Sequence, residues 1–286
     1  MTDIQTIAVA PNLTFDALAG GDASAPLVLL LHGFHESLHT WRAQIPALAA
    51  AGYRAVAPSQ RGYSPGARPD TTDFANYQLD HLMNDAMAIV AASGHDERRF
   101  HLVGHDWGAS IAWALADRYP DRLASLTITS RPHPNAFNRA LLTTDAGQKQ
   151  RSSHHWAYLE PGAGAQLLKD DARALRERWT KSGVPADLIE AHLSVIGSEA
   201  AMEGALAWYR ARGAIRPPLG MIRVPTLYIW GDADDTVGRA AAEGTHEFVS
   251  APYRFEILPG VGHFVSDQAP DRVNALLLQH LAAHPV

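Results

Sequence analysis

The stretch that decides the fold is residues 103–109, Val-Gly-His-Asp-Trp-Gly-Ala. It lies between an apolar run at 100–103, which predicts a buried strand, and a helix-period stretch at 109–119. Its Gly-x-Asp-x-Gly spacing is typical of a nucleophile elbow, a sharp strand-to-helix turn that presents one side chain at the helix N-terminus. That side chain is Asp106. A capping aspartate between turn glycines would give the same letters, so this stretch alone leaves both interpretations open.

An aspartate in the nucleophile position favours a particular chemistry. A carboxylate that attacks an ester carbonyl forms an anhydride, which returns to the reactants. Attack on a saturated carbon instead displaces a leaving group and gives an alkyl-enzyme ester. The helix N-terminus would keep the carboxylate of Asp106 ionised, as this reaction requires.

Outward from the elbow, strand-like and helix-like segments alternate. Short apolar runs predict strands at 27–31, 53–57, 100–103, 123–129, 224–230 and 253–258, preceded by an edge hairpin at 4–9 and 13–18. Helix-period stretches occupy 41–51, 79–93, 109–119 and 270–283. This alternation predicts the α/β class, with a mostly parallel central sheet flanked by helices. Residues 131–220 show helical patterning without a convincing strand, so we expect a core of 1–130 and 221–286 with a helical insertion after the sixth strand.

Composition excludes several classes of protein. The chain has 286 residues, 24 Lys+Arg against 30 Asp+Glu, and a formal net charge of −6. Without a basic block, nucleic acid is not an expected partner. No cysteine is present, which excludes disulfides, thiolate metal sites and a cysteine nucleophile. The first ten residues lack the features of a signal peptide, and no apolar run approaches the ~20 residues of a membrane helix, so we expect no membrane association and a cytoplasmic location.

Three further loops supply candidate site residues. His32-Gly33-Phe34 directly follows the strand at 27–31, which nominates the N–H groups of Phe34 and Trp107 as an oxyanion hole and places His32 at the pocket. His263, between glycine and phenylalanine after the last strand, is the candidate general base. Its orienting carboxylate is to be sought among three aspartates after the strand at 224–230: Asp232, Asp234 and Asp235.

A metal site is not expected. His32, His35 and His39 form a histidine string, but no acidic ligand cluster accompanies them, and the first already belongs to the oxyanion turn. No organic cofactor is indicated either.

As a set, these residues resemble the α/β-hydrolase fold, in the branch that contains epoxide hydrolases and haloalkane dehalogenases. The matching motifs are Leu-His-Gly-Phe at 31–34, Gln-Arg-Gly-Tyr-Ser at 60–64, the elbow, Gly231-x-x-Asp234 and Gly262-His263. The resemblance covers 25–130 and 220–283, and the insertion lies where this branch has a helical cap. It implies Asp106 as nucleophile, His263 as base and Asp234 as the triad acid.

The resemblance also nominates acid donors in the insertion. Trp-Tyr-Arg at 208–210 is similar to the segment in which epoxide hydrolases carry a ring-opening tyrosine, which implies this role for Tyr209. The family's second cap tyrosine falls, by register, on His155 here, with Tyr158 as the alternative, and Trp156 is assigned to the pocket. Where the family usually has a proline, often after a cis peptide bond, this chain has His35, so we expect a differently shaped oxyanion loop.

The implied activity is hydrolysis of a small hydrophobic epoxide by water to a vicinal diol. A haloalkane or haloacid dehalogenase with the same nucleophile is the alternative, and the indole of Trp107 would suit a halide. A non-catalytic relative that binds a small ligand under the cap is the alternative from another class. A homodimer is possible.

Overall fold

One mixed sheet organises the protein. The computed structural model describes residues 4–143, 147–211 and 218–286. Eight strands pair in the order β1-β2-β4-β3-β5-β6-β7-β8. β1 pairs antiparallel with β2, and β2 with β4, whereas all the other pairs are parallel. The predicted α/β class, with its mostly parallel sheet and edge hairpin, is confirmed. The strands are β1 Ile4–Ala10, β2 Leu13–Gly20, β3 Leu27–Leu31, β4 Arg54–Pro58, β5 Phe100–His105, β6 Leu123–Thr129, β7 Thr226–Gly231 and β8 Tyr253–Leu258.

Helices cover both faces of this sheet because successive side chains of its central strands point to opposite sides. On β3, Leu29 belongs to the apolar layer that includes α2 and α3, whereas Leu30 belongs to the layer that includes α1 and α12. The helices are α1 Gln44–Ala50, α2 Leu79–Ala92, α3 Asp106–Arg118, α4 Pro134–Leu142, α5 Gln148–Arg151, α6 His154–Ala157, α7 Ala163–Lys181, α8 Ala186–Ile196, α9 Glu199–Ala211, α10 Arg239–Glu243, α11 Val265–Gln268 and α12 Pro270–Ala283.

Helices α4 to α9 all lie between β6 and β7, and we call residues 131–220 the helical segment. Its first helix packs beside the sheet layer, where Arg139 forms a two-point ion pair with Glu247. Its last helix, α9, contacts the loop that follows β4, where the indole of Trp208 donates a hydrogen bond of 2.8 Å to the carbonyl of Arg61. Within the described residues, no helix is both long enough and apolar enough to cross a membrane.

The parallel strands β3, β5, β6, β7 and β8 present their carboxyl ends at one edge of the sheet. Loops at this edge are where open α/β sheets assemble their sites. The fold therefore brings together short loops that are distant in sequence, and the helical segment lies over them.

Candidate active site

The elbow between β5 and α3 holds Asp106 in an unusual backbone conformation. Asp106 is the first residue of α3, its φ is +46°, and only 4 % of its surface is exposed. The turn needs glycine at its flanks: a Cβ on Gly108 would lie 2.2 Å from the carbonyl oxygen of Leu31, and one on Gly104 would lie 2.7 Å from Cα of Ala109. The Gly-x-Asp-x-Gly spacing thus follows from close backbone approach, and it leaves the carboxylate at a helix N-terminus.

His263 faces this carboxylate and is oriented from behind by Asp234. Nε2 of His263 lies 3.7 Å from Oδ2 of Asp106, and its Nδ1 donates to Oδ2 of Asp234 at 3.0 Å. The other oxygen of Asp234 accepts the backbone N–H groups of Thr236 and Val237 at 2.7 and 2.9 Å. The nucleophile, base and acid predicted from the sequence are therefore adjacent.

The competing aspartates lie elsewhere. Asp232 is exposed and accepts the N–H of Gly260, and Asp235 pairs with Arg178 at 3.1 Å. Of the three candidates, Asp234 is the one whose carboxylate reaches His263.

A buried cation that the sequence analysis did not nominate completes the surroundings of Asp106. Nη1 of Arg131 lies 3.7 Å from Oδ2 of Asp106, and its guanidinium stacks over the ring of Phe137. Burial disfavours the ionised form of Asp106, but electrostatic interaction with the neighbouring His263 and Arg131 outweighs it, so the pKa of Asp106 is held below its usual range. The N–H of Phe34 adds a hydrogen bond of 3.3 Å to Oδ1. Asp106 is thus an ionised carboxylate with an oxyanion donor already beside it.

Tyr209 lies directly across from the elbow. Its ring centroid is 5.0 Å from that of Trp107 and 5.3 Å from that of Phe34. The rings of Trp107 and Tyr209 meet edge-on, at an interplanar angle of 78°. Burial and the nearby Asp106 charge raise the pKa of Tyr209 well above its ordinary value, so the phenol is protonated.

The structure places Tyr158 beside Tyr209. Their ring centroids are 5.0 Å apart, and Tyr158 also packs edge-on to Phe34 at 5.3 Å. Burial raises the pKa of Tyr158 to about 12, which makes it a second protonated phenol at this site. His155 is half-buried, with its ring 5.4 Å from Tyr209. Trp156, assigned to the pocket from the sequence, is not brought there: 70 % of its surface is exposed.

The loop after β3 differs from expectation at one point. The peptide bond between Phe34 and His35 is cis, so the expected loss of this geometry with the family's proline was wrong. The loop is held on both sides: the amide side chain of Gln60 donates to the carbonyl of His32 at 2.6 Å, and His35 reaches Tyr158. His32 itself is fully buried, donating from Nδ1 to the carbonyl of Gly33 and accepting the N–H of Gln60. Its observed role is to fix the loop.

A second buried polar cluster lies behind the base. Nδ1 of His105 pairs with Oε2 of Glu36 at 2.5 Å, and Nε2 of His105 donates to the carbonyl of His263 at 3.0 Å. The Glu36 carboxylate and the carbonyl of His263 can only accept hydrogen bonds. Both ring nitrogens of His105 therefore carry a proton, and the ring is an imidazolium. Burial opposes this charge, but Glu36 more than compensates and raises the pKa of His105 to about 9.

The same cluster offers the one grouping of three cation-ligating side chains found among the described residues. Ligand atoms of Glu36, His192 and Asp267 lie within 4.8 Å of one another. They are already engaged: Glu36 pairs with His105, and His192 bonds to Ser37 at 3.0 Å and to Asp267 at 3.3 Å. Apart from the ion pair with His105, both carboxylate oxygens of Glu36 and Oδ1 of Asp267 are buried and make no hydrogen bond within the described part of the chain. The histidine string does not converge, since His32 and His35 bind different partners.

Comparison with known proteins gives a consistent result. Residues 26–270 match the family model described as alpha/beta hydrolase fold. The chain is 32 % identical to human epoxide hydrolase 4, over 93 % of this chain and 75 % of that protein. It is also 32 % identical to epoxide hydrolase A of Mycobacterium tuberculosis, over 91 % and 92 %. A solved epoxide hydrolase from metagenomes of hot environments superimposes with a TM-score of 0.86 at 30 % identity, covering 99 % of this chain and all of that one.

Proposed function

Because the chain belongs to the epoxide hydrolases of the α/β-hydrolase family, we propose that it converts an epoxide and water to a vicinal diol through a covalent ester on Asp106. One observation carries the proposal. The Asp106 carboxylate lies beside the His263–Asp234 pair, and the protonated phenols of Tyr158 and Tyr209 pack against each other and against Phe34, whose N–H binds that carboxylate. These are the groups that the two half-reactions need.

In the first half-reaction, a carboxylate oxygen of Asp106 forms a bond to one oxirane carbon as the ring C–O bond breaks. The electron pair of that bond goes to the epoxide oxygen, which takes a proton from a phenol. The helical segment acts as the cap that carries both phenols, Tyr209 and Tyr158. Preorganised donors aimed at the developing negative charge stabilise the transition state more than the ground state.

In the second half-reaction, His263 removes a proton from water, and the resulting hydroxide attacks the ester carbonyl of Asp106. The oxyanion that forms is held by the N–H groups of Phe34 and Trp107. Its collapse releases the diol, with the proton returned from His263 to the departing oxygen. The second proton of the water remains on the carboxyl group of Asp106. Its transfer to the phenolate that formed in the first half-reaction regenerates both the tyrosine and the Asp106 carboxylate. Water is thereby consumed and every group returns to its starting state.

The geometry around Trp107 favours an oxygen leaving group over a halide. The indole of Trp107, which would serve a halide, packs edge-on against the phenol of Tyr209, with ring centroids 5.0 Å apart. The second phenol, Tyr158, lies on Phe34 beside Tyr209. Two phenols that can give up protons suit an alkoxide, whereas a halide leaves without needing a proton.

The test measures diol formation from aryl and alicyclic epoxides, with halide release from haloalkanes scored in parallel. Asp106→Asn should abolish diol formation, and Asp121→Asn, at an exposed aspartate beyond the end of α3, should not. His263→Gln should accumulate the ester, seen as an increase in the mass of the peptide that contains Asp106 by the mass of the epoxide. Halide release without diol would replace this proposal with the dehalogenase. Ligand binding without any turnover would replace it with the binding protein.

The cytoplasmic location and the homodimer stay predictions from the sequence. The absence of metals and cofactors from the reaction also belongs to this proposal, since each step above uses only side chains, backbone N–H groups and water.

A further inference from the structure

His35 is a buried residue of the loop after β3, and the mechanism above does not use it. Only 4 % of its surface is exposed, and its Nε2 lies 2.8 Å from the hydroxyl oxygen of Tyr158. The ring is enclosed by Phe34, Tyr158 and Trp179, with centroid distances from 4.1 to 6.3 Å. His35 therefore puts a polar side chain next to the candidate acid donor Tyr158.

The hydrogen bonds of His35 decide which nitrogen carries the proton. Burial, aided by the positive charge of Arg178, lowers the pKa of His35 well below its ordinary value, so the ring is neutral and has one N–H. Nδ1 is buried and makes no hydrogen bond within the described residues. A proton on Nδ1 would leave a buried donor unpaired, which proteins avoid more strictly than an unpaired acceptor. The proton therefore belongs on Nε2, facing Tyr158.

We propose that His35 is a positioning residue that donates its Nε2–H to the hydroxyl oxygen of Tyr158 and thereby directs the phenol proton toward the epoxide oxygen. In the opposite arrangement the hydroxyl of Tyr158 would donate its hydrogen bond to His35 and could not direct that proton toward the epoxide oxygen. Within the described part of the chain, His35 is the one hydrogen-bond partner of this hydroxyl. This inference rests on the proposed function, because it assigns a helper to one of its acids.

The bond from His35 gains strength during ring opening. As the C–O bond of the epoxide breaks, its electron pair goes to oxygen and the proton of Tyr158 moves onto that oxygen. Negative charge then develops on the phenol oxygen, and a hydrogen bond to a charged acceptor is about twice as strong as a neutral one. His35 keeps its proton throughout. It therefore favours the transition state over the ground state and affects the rate of ester formation more than substrate binding.

The kinetic test compares His35→Leu with His35→Gln in single-turnover formation of the Asp106 ester. Leucine removes the donor, whereas glutamine can place an amide N–H near the former Nε2. We expect the leucine variant to form the ester about 10-fold to 100-fold more slowly, with KM changed less than kcat, and glutamine to restore most of the rate. His39→Leu, in the same loop but half-buried and without a contact to Tyr158, is the matched control.

A double-mutant cycle separates positioning from packing. In a Tyr158→Phe background, His35→Leu should have little further effect, because the group through which it acts is gone. An equal loss of rate in both backgrounds would overturn the proposal, as would a leucine variant as fast as the wild type.

A readout without turnover keeps this inference distinct from the proposed function. The ¹⁵N shifts of the His35 imidazole, assigned by their loss in His35→Gln, report the tautomer directly. A neutral ring protonated at Nε2 supports the proposal, whereas protonation at Nδ1 or on both nitrogens overturns it. If no epoxide is turned over but the Nε2–H tautomer is found, the proposed function fails while the hydrogen bond to Tyr158 stands.

Discussion

Arg131 should control the pH at which the nucleophile becomes active. Its Nη1 lies 3.7 Å from Oδ2 of Asp106, with both side chains buried. At an effective dielectric constant of about 20 the attraction at this distance is about 4.5 kcal/mol, and such a neighbour typically lowers a carboxyl pKa by about 1–3 units. Replacing Arg131 by methionine, which keeps an unbranched chain over Phe137 but removes the charge, should raise the pKa of Asp106 by that amount.

The assay is the pH dependence of single-turnover ester formation, whose acid limb reports ionisation of the attacking carboxylate. The limb should move to higher pH by about 1–3 units in Arg131→Met and stay near the wild-type position in Arg131→Lys. On the plateau the methionine variant should react at least as fast as the wild type. The reason is that ester formation neutralises Asp106, so the arginine stabilises the reactant more than the product.

An unchanged acid limb in a correctly folded Arg131→Met protein would refute this reasoning. It would mean that the neighbouring His263 and the helix N-terminus suffice to keep Asp106 ionised. A loss of rate at every pH would instead assign Arg131 to substrate binding.

Three further changes have defined outcomes. The pKa of His105 is raised by Glu36 above its unfolded value. While Glu36 is ionised, protonated His105 therefore contributes stability that is fully present below about pH 6.5 and is lost as the pH rises through about 9. Glu36→Gln should make this decline in the free energy of unfolding shallower, by about 3 kcal/mol at most, in urea denaturation series. Gly33→Ala should slow ester formation by more than about 100-fold, since its Cβ would lie 2.5 Å from Cβ of Asp106, and near-normal kinetics would contradict the close approach. Tyr158→Phe should slow ester formation by about 10-fold or more whereas His155→Gln should not, and the reverse ranking would assign the second donor to His155.

Local sequence signals were sufficient for the sheet and for the elbow. The central strands are buried on both faces, so they appear as continuous apolar runs, and each predicted run corresponds to a strand. The elbow is specified by glycines whose Cβ atoms would collide with the backbone. The choice among three nearby aspartates was harder, because Asp234 is distinguished from Asp232 and Asp235 by its tertiary contact with His263 and by a turn that gives it two backbone N–H donors.

Other parts of the site depend on tertiary contacts that no local pattern encodes. Arg131 follows β6, and it reaches Asp106 because β5 and β6 are neighbours in the sheet. The second donor was ambiguous because α6 has only four residues, too few for a hydrophobic period to fix which side chains face inward. The same limit applies to Trp156, which lies on this helix and is exposed.

The loop after β3 links the two chemical steps. Through the N–H of Phe34 it contacts Asp106, the proposed nucleophile, and through the adjacent side chain of His35 it contacts Tyr158, the proposed acid donor on the helical segment. A change that tilts this loop would therefore disturb attack by Asp106, proton donation by Tyr158 and the oxyanion contact of the second step together. A decrease in the rate constant of ester formation or of ester hydrolysis alone identifies the role of one side chain, such as His35. A parallel decrease in both rate constants indicates displacement of the loop itself. Measuring ester formation and ester hydrolysis separately is thus what distinguishes a chemical contribution from a structural one at this site.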